Sequence, residues 1–133
     1  MGLVNEAGSD GVDPKPGVVL VVEDEVLVRM LACDILTEAG YHPLEAVNAD
    51  EALTIVEARQ DIAVVFTDVD MPGEINGLGL ARLIALRAPH LPILITSGAA
   101  VVAPTDLPAR GRFLQKPYSP STLVEAVTDL VHV

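Results

Sequence analysis

Carboxylate side chains follow two apolar segments of the chain, at the point where each segment ends. Residues 18–22 are followed by Glu23 and Asp24, and residues 62–67 are followed by Asp68. If both segments are parallel strands, their carboxyl ends lie at the edge where open α/β sheets bind ligands. Carboxylate oxygens are ligands that Mg²⁺ prefers. The pattern therefore predicts a cation site at this edge of the sheet.

A hydroxyl group and an amino group follow two further apolar segments. Residues 92–96 lead into Ser97, and residues 113–115 lead into Lys116. Asp70 lies two positions beyond the carboxylate that ends the segment at 62–67. Phosphoryl transfer requires mainly positioning and the neutralisation of negative charge. Together with the carboxylates, these groups predict a magnesium-dependent phosphoryl site.

Composition restricts the class of protein. The chain has 133 residues and a net charge of −11, which suits one domain and disfavours a nucleic-acid partner or an anionic membrane surface. No apolar run reaches the roughly 20 residues of a membrane span, and no signal-peptide pattern opens the chain. We expect a cytoplasmic protein in which residues 1–16 form a mobile tail and residues 17–133 form the domain.

Strand and helix patterns alternate along that domain. The predicted strands are residues 18–22, 41–47, 62–67, 92–96 and 112–115. The predicted helices are residues 27–39, 49 to about 60, 76 or 77 to about 88, and 120 to about 131. In the first helix, Leu27, Leu31 and Ile35 recur at i, i+4 and i+8. Pro104 and Pro108 predict that any helix between the last two strands is short or broken.

This alternation predicts an α/β fold with a parallel sheet and right-handed crossovers. The first, third and fourth strands are the most apolar and should be central, whereas Pro43 lacks an N–H and belongs on an edge strand. A flavodoxin-like, doubly wound (βα)₅ sheet in the order 2-1-3-4-5, with a shortened fourth helix, satisfies both conditions. Its switch point would bring together Glu23, Asp24 and Asp68.

Four short motifs occur in order at the predicted strand ends. They are Val-Val-Glu-Asp-Glu at 21–25, Thr-Asp-Val-Asp-Met-Pro at 67–72, Ile-Thr-Ser-Gly at 95–98 and Leu-Gln-Lys-Pro-Tyr at 114–118. Over about residues 17–131, the sequence resembles the receiver domain of two-component response regulators, and in particular the single-domain regulators of the chemotaxis type. The resemblance implies that Asp68 is the phosphoacceptor. It also implies that Mg²⁺ is held by Glu23, Asp24, Asp68 and the backbone carbonyl of Asp70.

The same resemblance implies roles for three further residues. Lys116 and Ser97 would contact the phosphoryl group and, with Asp68, form the catalytic set. Ser97 and Phe113 would form the switch that reports phosphorylation, with phenylalanine where tyrosine is commoner. The peptide bond between Lys116 and Pro117 matches one that is usually cis in this family. The acidic pair is Glu-Asp where Asp-Asp is commoner, and the loop at 72–77 is one residue longer than usual.

The implied function is a phosphorylation-dependent signalling protein of a bacterial two-component phosphorelay. Its phosphodonor would be a sensor histidine kinase or a histidine phosphotransfer protein, and its target a downstream protein that the residues do not identify. Such a protein is not an enzyme in the usual sense, because it catalyses only its own phosphorylation and dephosphorylation. Because the chain starts at Met1 and ends just after the last predicted helix, we expect a stand-alone regulator.

Two alternatives remain open at the level of sequence. Asp68-Val69-Asp70 is also the Asp-x-Asp of haloacid dehalogenase-like phosphatases, although there the motif lies on the first strand and is normally followed by Thr or Val. The second alternative is a pseudo-receiver that binds partners without being phosphorylated.

Overall fold

The computed structural model describes residues 17–99 and 102–132, which form a parallel sheet with helices on both faces. The strands are β1 (Val18–Val22), β2 (His42–Ala46), β3 (Ile62–Asp68), β4 (Ile93–Ser97) and β5 (Gly111–Gln115). The α-helices are α1 (Val26–Glu38), α2 (Ala49–Ala58), α3 (Gly77–Arg87) and α4 (Pro120–Val131). The predicted tail at residues 1–16 lies outside the described residues.

The strand order confirms the predicted topology. The sheet runs β2-β1-β3-β4-β5 and all four pairings are parallel, which is the order 2-1-3-4-5. Pro43 lies on the edge strand β2, where its missing N–H costs no central hydrogen bond. Val22 pairs with Thr67, and Asp68 pairs with Thr96. The ends of β1, β3 and β4 therefore lie side by side at one edge of the sheet.

Two apolar layers cover the sheet, because successive side chains of a strand point to opposite faces. In β1, Leu20 and Val22 pack under α2 and α3, whereas Val19 and Val21 pack under α1 and α4. Both layers consist mainly of aliphatic side chains, as the low aromatic content predicts. None of the helices in the described part of the chain is long and apolar enough to cross a membrane.

The helix α1 is confirmed, and Ile35 of its apolar series packs against the core, but the other two members, Leu27 and Leu31, do not. Leu27 and Leu31 are 79% and 61% exposed. The side chains that α1 buries against the sheet are instead Ala32, Cys33 and Leu36. Two of these three are small, which allows the helix to approach the strands closely. The spacing thus identified a helix but not the face that it buries.

The prediction that any helix between β4 and β5 is short or broken is confirmed. Within the described part of residues 98–110, the helical element is one 3₁₀ turn, Pro104–Asp106, rather than an α-helix. Pro104 and Pro108 lack the N–H groups that a continuous helix would need. The chain enters β5 at Gly111, one residue before the predicted start. Four α-helices therefore pack on the sheet in the described residues, instead of the five of a complete (βα)₅ pattern.

Candidate functional site

Three carboxylates meet where β1 and β3 end. Glu23, Asp24 and Asp68 each offer an oxygen, and these oxygens all lie within 4.8 Å of one another. Glu23 and Asp68 are both 5% exposed, and Asp24 is half-buried. The structure therefore brings together the acidic residues that the sequence predicted to meet, in a crevice largely shielded from solvent.

Lys116 reaches this cluster from the end of β5, across the end of β4. Its Nζ lies 3.1 Å from Oδ2 of Asp68 and 3.6 Å from Oε1 of Glu23. The peptide bond between Lys116 and Pro117 is cis, as predicted. The lysine thus places a positive charge directly against the carboxylate that ends β3.

The electrostatics of the crevice favour an additional cation. The pKa of Glu23 is raised to about 7, mainly because the group is buried and also because of the charge of Asp68. The N–H of Glu25 and the charge of Lys116 oppose this rise in pKa. Burial lowers the pKa of Lys116, but the hydrogen bond with Asp68 and the nearby carboxylates outweigh this effect and raise it overall. Three clustered carboxylates are hard oxygen donors, and this donor set fits Mg²⁺.

Ser97 is connected to Asp68 through Asp70. The Ser97 hydroxyl, which is fully buried, donates to Oδ2 of Asp70 at 2.8 Å. The backbone N–H of Asp70 in turn donates to Oδ1 of Asp68 at 3.2 Å. The resemblance implied a role only for the backbone carbonyl of Asp70. The contact between its side chain and Ser97 appears only in the folded structure.

Phe113 lies outside the carboxylate cluster. It pairs with Ile95 in the sheet and is half-buried. It packs against the apolar layer that includes Val102 and Leu107, two residues of the segment that precedes β5. Any effect of the site on Phe113 must therefore pass through β4 or through this segment.

Gly77 lies against the backbone of Asp68, a close approach that the sequence did not predict. A Cβ atom at this position would lie 2.1 Å from the backbone oxygen of Asp68 and 2.8 Å from Cα of Val69. The N–H of Gly77 also donates to the carbonyl of Val69 at 3.1 Å. The first turn of α3 therefore lies directly against the backbone that carries Asp68. A glycine at the start of a helix does not by itself indicate such a close approach to another segment.

We expect Gly77→Ala to lower the thermal stability of the domain, because backbone atoms must move to admit the methyl group. Overpacking of this kind costs about 1–3 kcal/mol or more. Thermal unfolding followed by circular dichroism measures it. Gly79→Ala in the same helix is the control, since its Cβ would meet only side-chain atoms, the nearest being Cγ2 of Ile75 at 3.1 Å. Equal stability of the two variants would contradict this account.

Comparison with known proteins relates the whole domain to one family. The sequence model described as "Response regulator receiver domain" matches residues 19–128. The chemotaxis protein CheY of Thermotoga maritima is 36% identical over 118 residues, which cover 84% of this chain and 95% of that protein. The crystal structure of the receiver domain of NtrX from Brucella abortus aligns with a TM-score of 0.77 at 31% identity, covering 86% of this chain and 98% of that domain.

Several other relatives are much longer than this chain. The response regulator protein FleR of Pseudomonas aeruginosa is 38% identical over 112 residues, which cover 82% of this chain but 23% of FleR. The chain spans between 12% and 25% of the length of longer relatives such as these. The similarity to these proteins therefore concerns one region of each.

Proposed function

The chain belongs to the response regulator receiver domain family, and we propose that it accepts a phosphoryl group on Asp68 in a Mg²⁺-dependent reaction. Receiver domains take phosphoryl groups from histidine kinases and are signalling proteins rather than classical enzymes. The observation that carries the proposal is the position of Asp68 at the end of a buried strand, between the carboxylates of Glu23 and Asp24 and the amino group of Lys116.

In the proposed reaction, a carboxylate oxygen of Asp68 attacks the phosphorus of a phosphohistidine. A P–O bond forms, the P–N bond breaks, and the departing ring nitrogen takes up a proton. Bound Mg²⁺ would supply the positive charge that lets two anionic groups approach each other. Glu23, Asp24 and Asp68 would hold the ion, with the backbone carbonyl of Asp70 as a further ligand. Lys116 would stabilise charge that develops on the phosphoryl oxygens.

We propose that Ser97 and Phe113 transmit the phosphorylated state to a downstream protein. A phosphoryl group adds a charge of about −1.5 to −2 at neutral pH. That charge competes with the Asp70 carboxylate for the Ser97 hydroxyl, now 2.8 Å from Asp70. Movement of Ser97 at the end of β4 would change the packing of Phe113 against the apolar layer that includes Val102.

Treatment with acetyl phosphate and Mg²⁺, followed by intact mass measurement, tests the proposal. The expected product carries one phosphoryl group, which base or hydroxylamine removes because it is an acyl phosphate. A phosphate ester on Ser97 would survive hydroxylamine at neutral pH. Absence of labelling would favour the pseudo-receiver alternative. Turnover of a generic phosphate ester would favour a phosphatase, which the family and the position of Asp68 on the third strand argue against.

Mg²⁺ binding is expected to weaken by about tenfold in Asp24→Asn, because the number of charged ligands tunes affinity at carboxylate sites. Isothermal titration calorimetry with MgCl₂ measures it. Asp50→Asn is the matched control, since Asp50 is exposed on the first turn of α2 and is not part of the carboxylate cluster. If Asp24→Asn and Asp68→Asn both bind Mg²⁺ with unchanged affinity, the ion does not bind at the carboxylate cluster.

An exposed apolar surface beside the crevice supports a protein as phosphodonor. This surface, which we call the α1 surface, contains Val26, Leu27, Met30 and Leu31. It continues into an open groove of about 500 Å³ between α1 and the start of α4, and Lys116 and Gly98 also line that groove. A donor protein seated on the α1 surface would therefore have its phosphohistidine next to Asp68.

Leu31→Ser is expected to slow phosphotransfer from a protein donor and to leave labelling by acetyl phosphate unchanged. The substitution removes an apolar contact at the edge of the crevice but no group of the site. The measurement compares both rates, using a purified histidine phosphotransfer protein that phosphorylates the unmodified domain. Leu86→Ser is the control, because Leu86 is 80% exposed on α3 at the opposite face of the sheet. Equal transfer rates in the two variants would contradict a donor on the α1 surface.

A further inference from the structure

We propose that Arg29 is a positioning residue of the cation site, which holds the backbone that carries Glu23 and Asp24. Its Nη1 donates to the backbone carbonyl of Glu23 at 2.9 Å, and its Nε donates to Oε1 of Glu45 at 2.7 Å. The inference rests on the proposed function only in taking Glu23 and Asp24 as ligands of the ion. Arg29 touches none of the reacting groups and acts through these two residues.

The location of Arg29 in α1 explains how it reaches this carbonyl. Its backbone N–H donates to the carbonyl of Glu25 at 2.9 Å, in the first turn of the helix. Side chains on a helix point back toward its N-terminus, which here is the loop that contains Asp24. Glu45 lies on β2 and pairs with Val21 of β1. The guanidinium therefore ties α1, the acidic loop and the neighbouring strand together.

The bond to the Glu23 carbonyl constrains Asp24 because the peptide unit is planar. That carbonyl and the N–H of Asp24 belong to one rigid group, so fixing the direction of the oxygen fixes the start of Asp24. Glu23 is held at two other points as well. Its N–H donates to the carbonyl of Ala46 at 3.0 Å, and its Oε2 accepts the N–H of Glu25 at 3.1 Å. Arg29 adds the contact to the carbonyl of the peptide unit that joins Glu23 to Asp24.

The geometry separates this role from that of an ordinary surface ion pair. Ion pairs between exposed side chains contribute little to stability. Here the Glu45 side chain is 51% exposed, whereas the Arg29 side chain is only 12% exposed. Its two nitrogens point to different acceptors, one of which is an uncharged carbonyl. A lysine at this position would keep the charge but could not reproduce the two fixed directions of the guanidinium. Arginine is therefore required for its shape as well as for its charge.

Titration of Mg²⁺ by calorimetry tests the proposal without relying on phosphorylation. Loss of an outer-shell contact typically weakens metal binding by about tenfold or more, and this is the result expected for Arg29→Ala. Arg29→Lys should bind almost as weakly. Arg59→Ala is the control, because it removes the same charge from an arginine that also makes two hydrogen bonds, both of them to Asp61. Arg59 lies just before β3, at the opposite edge of the sheet from the carboxylate cluster.

The proposal is overturned if Arg29→Ala is folded and binds Mg²⁺ with unchanged affinity, or if Arg29→Lys binds as tightly as the unmodified domain. Circular dichroism establishes folding. Should Arg29→Ala unfold, Glu45→Gln takes its place, since it leaves Arg29 in position but weakens the anchor of the guanidinium. Unchanged affinity in that variant would then overturn the role of Arg29.

The outcomes also distinguish this proposal from the proposed function. An unmodified domain that binds Mg²⁺ but takes no phosphoryl group would contradict the proposed function and leave the role of Arg29 standing. At saturating Mg²⁺, Arg29→Ala should still be labelled by acetyl phosphate. A variant that binds Mg²⁺ normally but is not labelled would contradict positioning through the cation site.

Discussion

Asp68→Asn is expected to take up no phosphoryl group from acetyl phosphate, whereas the unmodified domain takes up one. The amide of asparagine is not a competent nucleophile toward phosphorus. Asp68 is also the carboxylate that ends the buried strand β3 and lies 3.1 Å from Nζ of Lys116. Intact mass measurement after incubation with acetyl phosphate and Mg²⁺ gives the result directly.

Asp70→Asn is the matched control for this experiment. Asp70 lies two residues beyond β3, is exposed, and bonds Ser97 rather than Lys116. It should therefore keep the labelling, even if its rate changes. Asp68→Asn keeps the size of the side chain and an oxygen that accepts hydrogen bonds, so its circular dichroism spectrum should match that of the unmodified domain. Labelling of the folded variant at the normal rate would exclude Asp68 as the phosphoacceptor.

Lys116→Ala should lower the rate of labelling by about a hundredfold, which is the usual cost of losing one group that stabilises charge in a transition state. Nζ of Lys116 contacts both Asp68 and Glu23, so its loss leaves their negative charges less compensated. The phosphoryl oxygens would also lose a cation as their charge develops. The rate is measured from the growth of the phosphorylated species by mass spectrometry.

The same variant should remain folded, because the Lys116 side chain is 26% exposed and its truncation opens no closed cavity in the core. Lys116→Arg is an informative companion, since it keeps the charge and should restore part of the rate. Thermal unfolding of both variants separates a chemical defect from a structural one. If the folded Lys116→Ala variant is labelled and signals normally, Lys116 has no role in phosphoryl transfer.

Local sequence patterns were sufficient to predict the topology of the sheet and the cluster of carboxylates. Pro43 excluded the second strand from the centre, and the apolar runs identified the central strands. Because the carboxyl ends of all parallel strands lie at one edge, Glu23, Asp24 and Asp68 had to meet once that order was known. At the starts of α2 and α4, the side chains of Asn48 and Ser119 accept the N–H groups of Glu51 and Thr122. Such caps can be predicted from sequence because they join residues only three positions apart.

Other features depended on contacts between segments that are distant in sequence, and only the tertiary structure decided them. Leu31 is exposed because another face of α1 meets the sheet, and the helical spacing of apolar residues does not specify which face that is. The bond from Ser97 to Asp70 and the lack of space for a side chain at Gly77 required β4 and α3 to be placed against the end of β3. The two bonds of Arg29 likewise needed a known distance between α1 and β2. A periodic pattern specifies which elements form and roughly in what order, but side-chain contacts depend on packing distances of a few ångströms, which arise only when the elements are assembled.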